Sequence, residues 1–283
     1  MITLCSGLTG KQAETYGLVL SALGIYYRIQ KQAGFWEISV PAVDFEKARK
    51  AVEVYQQEDQ DRLRPSRNVF PGFTRTYTGL WVAALLLAVH AAVTGKQIHE
   101  PFTRFYGASA RHILDGELYR CVTALMIHAD SVHLIGNMAG IALFGTAVCS
   151  ITGWGAGWLT ILLAGSAGNL MNAFFFKTGH ISIGASTAVF GALGILSGYQ
   201  FVIKLRLPGQ RLKALLPLGG GLALLGFLGS AAHSDITAHL FGFICGIGMG
   251  ACWALWIKQV PAEKYQVAGA GMAVLILILS WMP

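Results

Sequence analysis

From Tyr77 onward the chain runs seven times for close to twenty residues without a lysine, arginine, aspartate or glutamate. Such runs leave few folds open. About 20 predominantly apolar residues cross a bilayer as a helix, because a helix satisfies its backbone polar groups within the segment. The candidate spans are Tyr77 to Thr94, Val132 to Ile151, Gly157 to Phe176, Ala185 to Ile203, Ala214 to Ala232, Ile236 to Ile257 and Tyr265 to Trp281, the last being the shortest. Charged residues make up only 12% of the chain, about half the share of a soluble domain. A soluble helical core is excluded, since seven such helices would leave too little polar surface to stay dissolved. The expected fold is therefore an all-α polytopic membrane protein.

Orientation follows from the basic residues. With the N-terminus in the cytoplasm, sixteen lysines and arginines fall on the cytoplasmic side against five outside: Lys96, Arg104, Arg111, Arg120 and Lys177. That is the positive-inside bias. The net charge of +7 thus reads as topology, and nucleic acid is not an expected partner. Met1 to Gly17 lacks the basic and apolar regions of a signal peptide, so the first span is expected to direct insertion. The expected location is a bacterial inner (plasma) membrane. Cys5, Cys121, Cys149, Cys245 and Cys252 show no ligand spacing and read as small core residues, neither disulfides nor a metal site.

Residues 1–60 read as a small cytoplasmic α+β domain, 61–75 as a basic linker and 76–283 as the membrane domain. Strands are expected at Ile2 to Ser6, Ile25 to Gln30 and Trp36 to Val40, the last two around a turn at Gln32-Ala33-Gly34. Helices are expected at Ala13 to Gly24 and Phe45 to Gln56, the second capped by Asp44. The linker character begins at Gln57 and includes Arg62, Arg64, Pro65, Arg67 and Pro71. This domain suggests no catalysis and specifies no partner. Between the first two spans, Gly95 to Ser131 mixes Phe102, Phe105, Tyr106 and Tyr119 with Arg104, Arg111 and Arg120. Such a loop suits the bilayer interface, packed beside the helices where it shapes access to them.

Polar groups in hydrocarbon are costly and point to chemistry. Ser186 lies at the start of the fourth candidate span, where unsatisfied amides and the helix dipole favour a developing negative charge. A serine needs a base to take its proton, and His239 in the sixth span is the candidate. Gly242, Gly246 and Gly250 form a small-residue ridge on that helix, and Gly184, Gly191, Gly194 and Gly198 offer a matching face. Close approach of the two would bring Ser186 and His239 within hydrogen-bond reach. No acidic residue lies within any span, so the expected arrangement is a dyad. Asp235, one turn before His239, reads with Ser234 as a helix cap. His133 and Asn137, spaced i, i+4 on one helical face, are candidate donors to an oxyanion together with the Ser186 amide.

These residues resemble the rhomboid intramembrane serine proteases. The resemblance covers about Gly116 to Gly250. It rests on Gly116-Glu117-Leu118-Tyr119-Arg120, on His128 with His133-x-x-x-Asn137, on Gly184-x-Ser186-x-x-x-x-Gly191, and on Ala238-His239-x-x-Gly242-x-x-x-Gly246. It implies a six-helix core with a seventh C-terminal helix added, Ser186 as nucleophile, His239 as general base, and His133, Asn137 and the Ser186 amide around the oxyanion. His128 and Arg120 match positions with structural roles. The implied substrate is a transmembrane protein within the lipid bilayer, cleaved near the outer leaflet at a small residue where its helix unwinds easily. No cofactor and no metal are implied. The chain departs from the family at Tyr119, usually tryptophan, and at Phe190, where many members place a tyrosine against the catalytic histidine.

Other chemistries lack their residues. There is no His-Glu-x-x-His for a zinc protease and no intramembrane aspartate pair. Gly184-Ala185-Ser186-Thr187-Ala188 misses the last glycine of a hydrolase elbow. A transporter would need a charged pair or a broken-helix repeat. The alternative of another class is a catalytically inactive rhomboid-like protein that binds membrane clients; inactive relatives typically lack the serine or the histidine, and both are present here.

Overall fold

The computed structural model describes residues 1–32, 34–63, 76–95, 99–229, 235–257 and 259–282. Its contacts divide the chain into two compact units, Met1–Val69 and Phe70–Pro283. Ala33 of the expected turn, most of the expected linker, Ser234 and the end of the fifth expected span lie outside the described residues.

The N-terminal unit runs β1 (Ile2–Leu8), α1 (Gly10–Ala22), β2 (Arg28–Gln32), β3 (Phe35–Val40) and α2 (Phe45–Leu63). The strands form an antiparallel sheet in the order β1-β3-β2. Leu20, Ile38, Val40 and Ala48 are fully buried in the core between the sheet and the two helices. Helix α1 starts earlier than its apolar periodicity suggests, because Thr9 and Gln12 close a reciprocal capping box. The second strand starts at Arg28, not at Ile25. Ile25 instead donates its amide to the Leu20 carbonyl at 3.0 Å and plugs the core. Asp44 is not the residue where the helical turn begins; it ends a 3-10 turn, Ala42–Asp44, that leads into α2. Helix α2 also runs on through Leu63, past Gln57, since the intervening Gln, Glu, Asp and Arg residues are adequate helix formers and the first proline is Pro65.

In the membrane unit, α3 (Thr78–Gly95) is followed by α4 (His99–Tyr106), the two-residue β4 (Ala108–Ser109), and short helices α5 (Ala110–Leu114) and α6 (Arg120–Thr123). Then come α7 (Ser131–Thr152), α8 (Trp154–Phe176), β5 (Ile181–Ser182), α9 (Ser186–Leu205), α10 (Arg211–Gly229), α11 (Ile236–Trp256) and α12 (Glu263–Ser280). A helix accompanies each expected span, and the chain is an all-α polytopic membrane protein with a small N-terminal sheet. Among the described residues five helices, α7, α8, α9, α11 and α12, are long and apolar enough to cross a bilayer. The last segment, short in sequence, is among them. The apolar runs that fall below that length are in α3 (Thr78–Thr94) and α10 (Leu215–Leu228).

Helix α9 is the most buried of the five and packs most closely on α11. The reason is a double ridge of glycines. A Cβ at Gly194 or Gly198 would lie 2.1 or 2.2 Å from a carbonyl oxygen of α11. One at Gly246 or Gly250 would lie 2.1 or 2.0 Å from a carbonyl of α9. Only hydrogen at these positions lets the two backbones meet.

Helix α12 docks through a buried glutamine. Gln266 Oε1 accepts from the amides of Gly155 and Ala156 at 2.9 and 3.0 Å, and Nε2 donates to the carbonyls of Thr152 and Pro261 at 3.2 and 3.1 Å. One side chain thereby serves the end of α7 and the start of α8. At its other end Trp281 stacks on Phe102 and packs against Tyr106 of α4, with ring centroids 5.3 and 4.6 Å apart.

From His99 onward the loop after α3 is built, not structureless. The buried Arg120 guanidinium donates to Glu117 at 2.7 Å and to the carbonyls of Arg104 and Gly107 at 3.0 and 3.3 Å. It gathers the ends of α4 and α6, and the β4–β5 pairing ties this loop to the turn before α9. Of the cysteines, Cys121 and Cys149 are buried core residues as expected, whereas Cys252 is exposed on α11.

Candidate active site

The turn that leads into α9 is held from two sides. Gly184, at φ +123°, adopts a conformation open to glycine and donates its amide to the Ala124 carbonyl at 2.9 Å. The Ala185 amide donates to Nε2 of His128 at 3.3 Å. Burial, with His133 nearby, pushes His128 down to about 3, so its imidazole is neutral and has a lone pair to accept that bond. These contacts set Ser186 at the first position of α9, where its amide has no partner within the helix.

His239 lies one turn into α11. Its Nε2 is 2.8 Å from Ser186 Oγ, and both side chains are buried. The glycine ridge brings the pair together, for a Cβ at Gly242 would strike the Thr187 carbonyl at 2.2 Å. Phe190, one turn beyond Ser186, lays its ring against the His239 imidazole with centroids 4.7 Å apart and planes tilted by 32°. The stacking face that a tyrosine would supply is therefore present without the hydroxyl.

His133 and Asn137 stand on α7 facing Gly184. A Cβ at Gly184 would lie 2.6 Å from His133 Nε2 and 3.4 Å from Asn137 Nδ2. Asp130 caps α7 by accepting the His133 amide at 2.8 Å, which fixes the first turn of that helix. Asn137 is buried, and its Nδ2 donor has no hydrogen-bond partner among the described residues. A buried donor left unmade is costly, and such a cost is commonly retained where a ligand will supply the acceptor. The structure thus gathers Ser186, His239, His133 and Asn137 around one turn. A hydroxyl bonded to an imidazole can hand over its proton, and donors beside the same hydroxyl can bind an anion formed there.

Asp235 does cap α11, accepting the Ala238 amide at 3.0 Å, while Ser234 lies outside the described residues. Two residues that the sequence reading passed over, Asn172 and His180, meet its other oxygen. Asn172, one of two asparagines with Asn169 in the mostly apolar run of α8, was the available signal.

The rhomboid domain model matches residues 115–256. The chain is similar to RHOMBOID-like protein 1 of Arabidopsis thaliana, 31% identical over 47% of this chain and 34% of that protein. It is also similar to Rhomboid-like protease 3 of Toxoplasma gondii, 27% identical over 68% of this chain and 75% of that protein. Rhomboid protease GluP of Bacillus subtilis is 28% identical over 75% of this chain and 42% of that protein. The chain thus spans well under half the length of the Arabidopsis and Bacillus relatives. With the family's domain covering half of its residues and the glycine-locked helices α9 and α11 lying inside that domain, this membrane protein belongs to the rhomboid family.

Proposed function

We propose that the protein is an intramembrane serine endopeptidase that hydrolyses peptide bonds in or near the transmembrane segments of other membrane proteins. The observation that carries this reading is the 2.8 Å contact between Ser186 Oγ and His239 Nε2, buried between two helices. Ser186 is the nucleophile and His239 the general base. As Oγ attacks the scissile carbonyl carbon, its proton passes to Nε2. The carbonyl oxygen takes up the negative charge and is held by the Ser186 amide, His133 and Asn137. His239 then gives the proton to the departing amine, leaving an ester on Ser186. Water, deprotonated by His239, attacks that ester and restores the serine. The peptide must be extended to present its carbonyl, so the substrate helix has to unwind before cleavage.

The orientation that fits this reading places the N-terminus in the cytoplasm of a bacterial inner membrane, since the basic residues cluster on that side. Residues 1–60 then form a cytoplasmic domain joined by a basic linker to the membrane domain from residue 76.

The test uses the purified chain in detergent with a fluorescent transmembrane substrate, beside Ser186→Ala and His239→Ala. The expected outcome is cleavage by the parent alone, and labelling of Ser186 by a fluorophosphonate. Cleavage that survives in both variants would refute the dyad. No cleavage of varied substrates by any form would favour an inactive, client-binding protein.

A further inference from the structure

Outside the dyad, one carboxylate joins the two stretches of chain that carry it. Asp235 Oδ1 accepts from the Ala238 amide at 3.0 Å and the Thr237 hydroxyl at 2.7 Å, which completes its task as a helix cap. Its second oxygen does something a cap does not require. Oδ2 accepts from Asn172 Nδ2 of α8 at 2.8 Å and meets Nε2 of His180 at 2.5 Å. The His180 ring lies flat on Phe176, with centroids 3.9 Å apart and planes 13° from parallel, and its carbonyl accepts the Ala110 amide at 2.9 Å. His180 is therefore anchored independently of Asp235, and Asn172 is carried by helix α8.

We infer that Asp235 is a positioning residue whose second oxygen, with His180 and Asn172, forms a latch that sets the spacing of Ser186 and His239. The inference rests on the dyad reading above. Asp235 is one helical turn before His239 and takes that residue's amide on its carbonyl at 3.1 Å, so the start of α11 and the imidazole move together. His180 is six residues before Ser186, connected through β5 and the tight turn at Gly184. The latch closes the loop between these short tethers on the side of the dyad away from the glycine ridge. It also places a carboxylate where it can act without entering the apolar spans, none of which contains an acidic residue. Burial alone would raise the Asp235 carboxyl, but the Ala238 amide, His180 and Thr237 outweigh it and hold it at about 2. The group is thus ionised at neutral pH, and its bonds to Asn172 and His180 are charge-assisted.

Asp235→Ser separates the two tasks of the carboxylate, because serine caps a helix about as well as aspartate but is too short to reach Asn172 or His180. The full chain in detergent is assayed by the rate of fluorophosphonate labelling at Ser186 and by kcat and KM on a transmembrane substrate. Labelling and kcat are expected to fall about tenfold in Asp235→Ser, with KM within twofold of the parent. His180→Ala, which leaves the cap untouched, should show the same loss and serves if the serine variant does not fold. The double variant should be no worse than either single one. Parental labelling rates in both single variants, or losses that multiply in the double one, would overturn the latch while leaving the dyad standing. A parent that fluorophosphonate does not label at Ser186 would overturn the dyad reading, and the latch with it.

Discussion

Gly242→Ala should disable the protein without unfolding it. Gly242 lies three residues after His239, opposite the carbonyl of Thr187, the neighbour of Ser186. A Cβ there would sit 2.2 Å from the Thr187 oxygen and 3.1 Å from its carbon. A carbon–oxygen contact ordinarily takes about 3.3 Å, so the helices must part by roughly 1 Å. The obstacle is backbone in the first turn of α9, part of a fold-defining helix pair, and cannot swing aside. Ser186 Oγ and His239 Nε2, now 2.8 Å apart, have only a few tenths of an ångström before the hydrogen bond passes its limit of about 3.2 Å. A misplacement of about 1 Å costs on the order of 10²-fold in rate, whereas overpacking of this kind costs ~1–3 kcal/mol in stability. The control is Gly248→Ala on the same helix, where a Cβ meets nothing within 4 Å. Both variants and the parent are compared by cleavage rate, fluorophosphonate labelling and thermal midpoint in detergent. The expectation is a fall of about a hundredfold for Gly242→Ala and parental rates for Gly248→Ala. Gly242→Ala acting within threefold of the parent would refute the claim that glycine contact sets the dyad distance.

Three further outcomes follow from particular contacts. Asn137→Ala should lower kcat by ~10²–10³ through loss of an oxyanion donor. Because that Nδ2 has no partner among the described residues, the same variant should melt no lower than the parent, and a large drop in its thermal midpoint would contradict the assigned role. Gln266→Leu strips partners from the Gly155 and Ala156 amides and the Thr152 carbonyl and should destabilise the membrane unit by about 2–4 kcal/mol, whereas Gln266→Glu keeps the accepting oxygen and should lose less, as read by denaturation in detergent. Asp235 contributes stability in proportion to how far its carboxyl is held below the ordinary 3.8, at about 2. The folded state binds its proton less readily than the unfolded chain, so the contribution is complete above roughly pH 4 and drains as pH falls through about 2. Melting curves taken across that window should show a steeper acid loss for the parent than for Asp235→Ser.

How much of this was legible beforehand depended on how local the controlling physics is. Seven apolar runs foretold seven helices because a continuous apolar run of about twenty residues satisfies its backbone in lipid as a helix, and the glycine spacing of residues 242, 246 and 250 announced a close helix contact. The first loop was less readable. Its order comes from Arg120 reaching carbonyls 13 and 16 residues away, and from a β4–β5 pairing only two residues long, and neither leaves a periodic trace. The N-terminal unit shows the same division: the sheet's apolar residues foretold three strands, but the place of Ile25 was set by the end of α1 and not by its own strand propensity.

Sequence alone determined that this chain crosses a membrane, that a serine and a histidine sit where hydrocarbon penalises them, and that no carboxylate accompanies them within a span. Those are properties of residue type and solvent, and they need no partner to be read. Only the tertiary structure decided that Ser186 and His239 meet at 2.8 Å, that Gln266 serves the ends of two other helices, and that Asp235 has a second oxygen turned toward Asn172 and His180. Each of these contacts joins groups more than 50 residues apart, and whether such groups meet depends on how whole helices pack.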